Sequence, residues 1–184
     1  LGDNVKLEVG SASGGDLQIY HTGTHSFIAD AGTGQLKIIT NGTGLDIQKD
    51  ETETMAKFIT DGAVKLYHNN AEKIETTANG VTVTGTAVAT TDTDTTNTGS
   101  VTLDFAAKQN FVLTLTGNVT LANPTTEQVG QSGFIAFIQD GTGGRTVALG
   151  TDYETPAAAG LTLTSTASAT DLVPYLVVAS NRIL

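Results

Sequence analysis

The sequence contains no cysteine and no tryptophan, only 3 prolines, and aromatic residues make up 5% of it. Without cysteine, a disulfide-stabilised scaffold and a thiol nucleophile are both excluded. No apolar run approaches the roughly 20 residues of a membrane helix, so we expect no membrane insertion. Lys and Arg number 9 against 19 Asp and Glu, a net charge of −10. This excess argues against nucleic acid or an anionic membrane surface as a partner.

Threonine and glycine dominate the residues that are present, with 33 Thr and 21 Gly in 184 residues. Threonine favours strands and glycine favours turns, so the composition predicts an all-β fold. The chain begins with Leu rather than Met, and its first residues already follow a strand pattern. We therefore expect a fragment of a longer protein.

Residues 1–85 have the pattern of a repetitive segment of short strands. Apolar pairs with i, i+2 spacing recur about every 9–12 residues, separated by turn signals. The pairs include Val5/Leu7, Leu17/Ile19, Leu36/Ile38, Leu45/Ile47, Val64/Leu66 and Val81/Val83. Residues 51–59 fit either a short helix or a strand, and we favour the strand because the surrounding segments are strands.

Strands with such narrow apolar stripes cannot bury much surface alone, so we expect them to pack against other copies of the chain. A homotrimeric, β-prism-like fibre would bring three stripes together on one axis, whereas a monomeric β-solenoid could instead stack its own coils. An internal echo, apolar-x-apolar-Tyr-His at 17–21 and at 64–68, supports a repeat. The predicted trimer-axis residues are Leu17, Ile19, His21, Val64, Leu66 and His68, with Leu36, Ile38, Leu45 and Ile47 at or near the axis.

His21 and His68 share strand faces with apolar residues, so symmetry copies of either could surround an ion on a threefold axis. The favoured alternative is that each histidine closes an apolar stripe with a hydrogen bond. Residues 92–99 loosely resemble a calcium loop, and 141–145 resemble a phosphate loop, but neither has the required spacing. A solvated linker and a hairpin turn are the favoured interpretations. We predict no catalytic residue, no cofactor and no metal site, and therefore no enzyme.

Residues 86–100 are rich in Thr and Asp and are predicted to form an exposed linker. Residues 101–184 have longer apolar runs, which predict a small antiparallel β-sandwich or jelly roll. Hairpins are expected at 111–121, around Gly117-Asn118, and at 134–149. Pro174 predicts an edge strand or bulge. The chain stops on an apolar pair, so we expect a closing strand to be missing.

Ligand contacts, if any, are expected in the loops of the C-terminal half, at 123–128, 140–145 and 151–155. In the last loop, Tyr153 could stack on a sugar ring while Asp152 and Glu154 accept hydrogen bonds from its hydroxyls. In the alternative, Tyr153 packs back on the edge of the sandwich and the loops only connect strands.

Residues 16–36 and 63–85 resemble a repeat of fibre and appendage proteins of marine tailed phages, notably cyanophages. Residues 109–124, Gly130-Gln-Ser-Gly133 and Gln139–Thr146 are similar to a β-rich domain that recurs near the C-terminus of phage tail proteins. The resemblance implies a structural virion protein on the exterior of the particle. It transfers no catalytic residues.

A trimeric tail-fibre or receptor-binding segment is therefore the leading expectation, with other virion proteins and a host surface glycan as partners. The alternative is a capsid-surface fibre or decoration protein of the same architecture. A polysaccharide depolymerase and a bacterial adhesin fragment are less favoured.

Overall fold

The computed structural model describes residues 2–11 and 15–184, and these residues form an all-β protein. Strands hold 51% of the chain, which confirms the predicted fold class. Contacts divide the chain into two compact units, Leu1–Thr86 and Ala87–Leu184. The boundary lies one residue after the predicted end of the repetitive segment.

The first unit holds two antiparallel sheets of short strands. The three-stranded sheet contains β1 (Leu7–Val9), β2 (Leu17–His21) and β3 (Ser26–Asp30), paired in chain order. The five-stranded sheet contains β4 (Gly44–Lys49), β5 (Glu53–Ile59), β6 (Val64–His68), β7 (Ala71–Thr77) and β8 (Gly80–Val83), also paired in chain order. The strand predicted within 51–59 is confirmed by β5.

A short asparagine turn holds the five-stranded sheet together between β6 and β7. Asn69 and Asn70 have φ values of 50° and 62°, a region that asparagine tolerates better than most residues. The Asn70 side chain also reaches the start of β5: its Oδ1 accepts from Thr54 N at 2.6 Å, and its Nδ2 donates to Thr52 O at 3.2 Å. The turn thus ties β5, β6 and β7 into one antiparallel meander.

The expected strand at Leu36 and Ile38 does not form. Residues 35–40 are irregular and lie between β3, which ends one sheet, and β4, which begins the other. An apolar i, i+2 pair becomes a strand only where a neighbour completes its hydrogen-bond ladder, and 35–40 pair with none of the described strands.

The second unit is a six-stranded sheet arranged around a long central strand. Its strands are β9 (Thr91–Thr102), β10 (Asn110–Ala122), β11 (Ser132–Gln139), β12 (Val147–Leu149), β13 (Thr170–Ala179) and β14 (Arg182–Ile183). One edge of β10 pairs in parallel with β9, and the other pairs in parallel with β11 and then with β12. β13 runs antiparallel to β11, and β14 runs antiparallel to β13.

Both predicted hairpins of this unit are wrong. Residues 111–121 form part of the single strand β10, because β9 offers a ladder partner on both sides of Gly117. A Cβ at Gly117 would collide with Thr98 Oγ1, so this glycine permits a close approach of two strands. Within 134–149, β11 and β12 pair with the same edge of β10 at successive positions along it. The loop at 140–146 therefore joins two strands that do not pair with each other, and it is not a hairpin turn.

The linker prediction is wrong for residues 91–100, which form most of β9. This prediction rested on the low apolar content of the segment. The residues nevertheless form a strand because their main chain pairs with β10, and because threonine favours the extended backbone. Asn97 strengthens the pairing: its buried side-chain Nδ2 donates to Asp94 O at 3.0 Å and to Thr114 O at 3.1 Å. Asn97 therefore ties β9 to β10 where their register shifts.

The hydrophobic core lies on the inner face of the six-stranded sheet. Its residues from the sheet are Phe111, Leu113, Leu115, Val119, Leu121, Ile135, Phe137, Val147, Tyr175, Val177 and Ile183. Leu103 and Phe105 join them from the segment after β9, and Leu161 and Leu163 pack from the segment before β13. Irregular chain therefore closes the core where the sandwich prediction expected a second sheet. The edge position predicted for Pro174 is confirmed, since β14 reaches β13 only from Leu176 onward in the part of the chain the structure describes.

Candidate interaction surfaces

The register of the five-stranded sheet places most of its apolar side chains on one face, with Ile59 and Tyr67 on the other. Cross-strand pairs such as Ala56/Leu66 and Leu66/Ile74 run across the first face in a row. This apolar face comprises Leu45, Ile47, Ala56, Phe58, Val64, Leu66, Ile74, Val81 and Val83. Six of these large side chains are between 37% and 63% exposed, so the face has almost no cover within its own unit.

The opposite face of the same sheet carries charged pairs. Lys57 Nζ lies 3.4 Å from Asp46 Oδ2, and Lys65 Nζ lies 2.8 Å from both Glu72 Oε2 and Glu75 Oε1. Hydrogen bonds from Lys65 to these two carboxylates raise its pKa above the ordinary value. The sheet is therefore amphipathic, with one face suited to water and the other suited to burial.

The three-stranded sheet is also two-sided. Its aliphatic face holds Leu7, Val9, Leu17, Ile19 and Ile28. On the other face, the rings of Tyr20 and Phe27 stack with centroids 4.8 Å apart, and Lys6 Nζ lies 4.9 Å from the Tyr20 centroid. Lys6 directly precedes β1 and Phe27 belongs to β3, so the two side chains flank Tyr20 of β2 from both sides. These cross-strand contacts stabilise the three-stranded sheet.

The predicted trimer-axis residues fall into two groups on two different sheets. Leu17, Ile19 and His21 share the aliphatic face of the three-stranded sheet, while Val64, Leu66 and His68 share one side of β6. The side chain of His21 is engaged locally, with Nδ1 3.0 Å from Ser26 Oγ. Among the described residues, no group of three or more His, Cys, Asp or Glu could hold a metal ion.

Besides the small Ala56, four large members of the apolar face were not predicted as axis residues: Phe58, Ile74, Val81 and Val83. Each belongs to an apolar motif visible in the sequence, but its face depends on the register with β6. The turn signals at Asp61-Gly62, Asn69-Asn70 and Asn79-Gly80 could have supplied that register, because short turns join consecutive antiparallel strands.

The two sequence segments that resembled ion-binding loops have other roles. Asp92–Gly99 lies within the extended strand β9. In the glycine-rich loop, the Asp140 carboxylate accepts hydrogen bonds from Thr142 N at 3.0 Å and from Gly143 N at 2.9 Å. Arg145 binds the same carboxylate, so the loop satisfies its own polar groups.

Tyr153 packs back on the sheet edge, as the second of the two interpretations predicts, while a receptor contact of Asp152, Tyr153 and Glu154 stays a prediction. Tyr153 bridges to Ile183 of β14, and Ile183 N donates to Asp152 O at 2.8 Å, which draws the 151–155 loop onto the sheet edge. Asp152 is only 8% exposed. Glu154 pairs with Arg182, whose Nε lies 2.6 Å from Glu154 Oε1. Asp152 is therefore withdrawn from solvent, whereas Tyr153 and Glu154 are half-buried.

The Tyr153 hydroxyl is buried and has no hydrogen-bond partner among the described residues. Burial raises the pKa of Tyr153 above its ordinary value, and the neighbouring carboxylates of Asp152 and Glu127 raise it further. The ring lines an apolar cavity of about 300 Å³ together with Leu161 and Val173. Tyr153 thus packs against the core as a half-buried residue with an unsatisfied polar atom.

In the part of the chain that the structure describes, no helix is long and apolar enough to cross a membrane. Comparison with curated proteins and with solved structures found no match. Residues 90–179, which run from just before β9 to the end of β13, match the family described as "Putative phage tail fibre C-terminal domain". This match supports a phage tail fibre family for the second unit and, with it, a virion-associated appendage.

Proposed function

We propose that this chain is a structural segment of the tail fibre of a tailed phage, that it assembles as a homotrimer, and that it contacts the host surface. The family match of residues 90–179 supports the tail fibre assignment. The resemblance of residues 16–36 and 63–85 supports a marine, cyanophage-type origin. On this proposal the chain lies on the virion exterior beside other virion proteins, meets a host surface glycan and catalyses no reaction.

The exposed apolar face of the five-stranded sheet is the main observation in support of the proposed trimer. A sheet with one apolar face needs a second layer to bury it, and a large exposed apolar patch marks an interaction site. Ala56 is the only buried hydrophobic residue among those described in the first unit. Three copies around a threefold axis would bury their apolar faces against one another and leave the charged faces in water.

A second copy explains this face better than a monomeric β-solenoid does. In a parallel β-helix, coils stack in parallel and each covers its neighbours. β4 to β8 instead form an antiparallel meander in one layer. Such a layer has no coil above it to cover the apolar face.

Two neighbouring residues of β8 provide a matched test of the trimer. Val83 lies on the apolar face and Thr82 on the charged face, and both are exposed. Light scattering of the purified chain should give three times its 18.9 kDa. Val83→Lys should shift the mass towards the monomer, whereas Thr82→Lys should keep the trimer. A stable, folded wild-type monomer would contradict the proposal.

The place of the protein on the virion and its structural role need separate measurements. Gold-labelled antibody should mark the tail in electron micrographs, whereas label on the head would favour a capsid-surface decoration protein. Purified chain should bind host surface glycan without releasing reducing ends. Release of reducing ends would indicate a depolymerase.

A further inference from the structure

The outer face of the six-stranded sheet, opposite the core, carries a second apolar area. The register aligns Val112 with Ala136, Ala136 with Leu172, and Phe134 with Pro174. The outer apolar patch consists of Val112, Phe134, Ala136, Ile138, Leu172, Pro174 and Leu176. Leu172 is 65% exposed and Leu176 is 43% exposed. Pro174 is exposed as well, whereas Val112, Phe134 and Ile138 are half-buried and Ala136 is buried, so the patch is most open along β13, on a unit that already has a core on its other face.

β13 has the sequence of a strand covered on both faces. Val173, Tyr175 and Val177 point into the core, while Leu172, Pro174 and Leu176 point outward. An antiparallel strand with one solvated face normally alternates apolar and polar residues, whereas a near-continuous apolar run is typical of burial on both sides. The pattern of β13 thus indicates a cover for the outer apolar patch.

We propose that the outer apolar patch packs against the same patch of the other copies in the homotrimer. This inference rests on the proposed function. Only Leu172, Pro174 and Leu176 among the seven patch residues are exposed, so the patch offers less than the roughly 800 Å² per partner of a stable interface. It is therefore too small to join free copies, and it closes once the first units have assembled.

The length of the connection between the units supports a second copy as the occupant. Seven residues, 84–90, lie between β8 and β9, and an extended segment of that length reaches about 25 Å. Assembly of the first units therefore holds the second units at a high effective concentration.

Charge also favours this patch as the place where copies meet. Residues 87–184 contain 8 acidic and 3 basic side chains, a formal charge of −5, so identical units repel one another in general. All seven side chains of the outer apolar patch are uncharged. Contact through the patch thus avoids placing like charges at the centre of the interface.

Because the chain has no cysteine, a single introduced thiol can test this contact. Full-length Leu172→Cys is treated with a short bismaleimide, and Thr120→Cys is the matched control. Thr120 is exposed on the outer face of β10 but lies outside the outer apolar patch. We expect covalent pairs of chains for Leu172→Cys and none for Thr120→Cys. Leu176→Cys repeats the test at a second position of the patch.

Mass and thiol reactivity together separate the two levels of the proposal. A trimeric mass with linked Leu172→Cys chains and slow labelling by a monofunctional maleimide supports the contact. A trimeric mass with unlinked Leu172→Cys, labelled as fast as Thr120→Cys, overturns the contact and leaves the proposed function standing. A monomeric mass overturns the proposed function and the contact with it.

Discussion

Arg145 Nη2 lies 2.8 Å from Asp140 Oδ2, and this pair closes the glycine-rich loop that leads from β11 to β12. The other carboxylate oxygen of Asp140 accepts the N–H groups of Thr142 and Gly143. Gln139 completes the closure, since its Nε2 donates to Arg145 O and its Oε1 accepts from Arg145 N. Two adjacent side chains thus fix both ends of the loop.

Removing the charge of Asp140 should weaken the fold at neutral pH and flatten its acid dependence. The Arg145 guanidinium, with the N–H groups of Gly143 and Thr142, holds the pKa of Asp140 below its ordinary value. The stabilisation is therefore present above the unfolded-state pKa near 4 and is lost as the pH falls through the folded-state pKa. Urea unfolding of Asp140→Asn from about pH 7 to 2 measures both effects. The exposed Asp61→Asn is the control, and wild-type acid dependence in Asp140→Asn would contradict the prediction.

Gly143→Ala should destabilise the protein by about 1–3 kcal/mol. Gly143 has φ +74°, and an added Cβ would collide with Ser165 O and with the backbone of Ala167. Gly141→Ala is the matched control in the same loop, because Gly141 has open space around it and no left-handed φ. The midpoints of urea unfolding compare the two variants. Equal midpoints would contradict the prediction, because they would show that the loop backbone rearranges to accept the added methyl group at position 143.

Tyr153→Phe should leave the free energy of unfolding unchanged or raise it, because it removes a buried hydroxyl without a partner. The raised folded-state pKa of Tyr153 means that its stabilisation holds below the unfolded-state value near 10 and is lost as the pH rises through the folded-state value. The variant should therefore lose less stability at alkaline pH. Its absorbance titration should lack the latest tyrosine. Tyr175, whose pKa is also raised by burial, should still titrate late in the variant, so an absorbance titration identical to that of the wild type would contradict this assignment.

Asn97→Ala should lower the free energy of unfolding by about 1–3 kcal/mol, because it leaves the carbonyl oxygens of Asp94 and Thr114 without their donor. Thr98→Ala, at an exposed position beside it, should cost far less. Denaturant unfolding followed by circular dichroism measures the difference. A neutral Asn97→Ala would mean that the backbone ladder alone holds β9.

Limited proteolysis should cut the chain first within residues 84–90 and should spare β9. Backbone in the β9–β10 ladder must open before a protease can bind it, whereas the segment between β8 and β9 is exposed and outside the strands. Mass spectrometry of the earliest fragments locates the cut. Early cleavage within 91–102 would indicate that these residues form an exposed linker rather than a strand.

Local patterns predicted the strands of the first unit and the faces of their side chains. Val64 and Leu66 lie two residues apart, so they had to share a face in any strand, and short turns made antiparallel neighbours the only economical pairing. Most of the apolar face of the five-stranded sheet could therefore be predicted from the sequence.

The strand pairing of the second unit could not be predicted from the sequence in this way. Gly117-Asn118 has the composition of a hairpin turn, and only the presence of β9, 18 to 20 residues earlier in the chain, converts it into strand. Tyr153 illustrates the same limit, because its burial depends on Ile183, which joins the loop to the sheet edge. Partners distant in sequence decided both positions.

The parallel ladder between β9 and β10 also affects how the second unit bears load. The chain enters this unit through β9, whose backbone is aligned with β10 from Asn110 to Ala122. A pull on residue 87 along the strand direction, with the rest of the sheet held, stresses this ladder in shear, so its hydrogen bonds must fail together. The ladders of the meander β4 to β8 are shorter, with three to six aligned residue pairs each against nine between β9 and β10, so fewer hydrogen bonds share the load there. Under tension, the second unit should therefore hold after the first has begun to unravel.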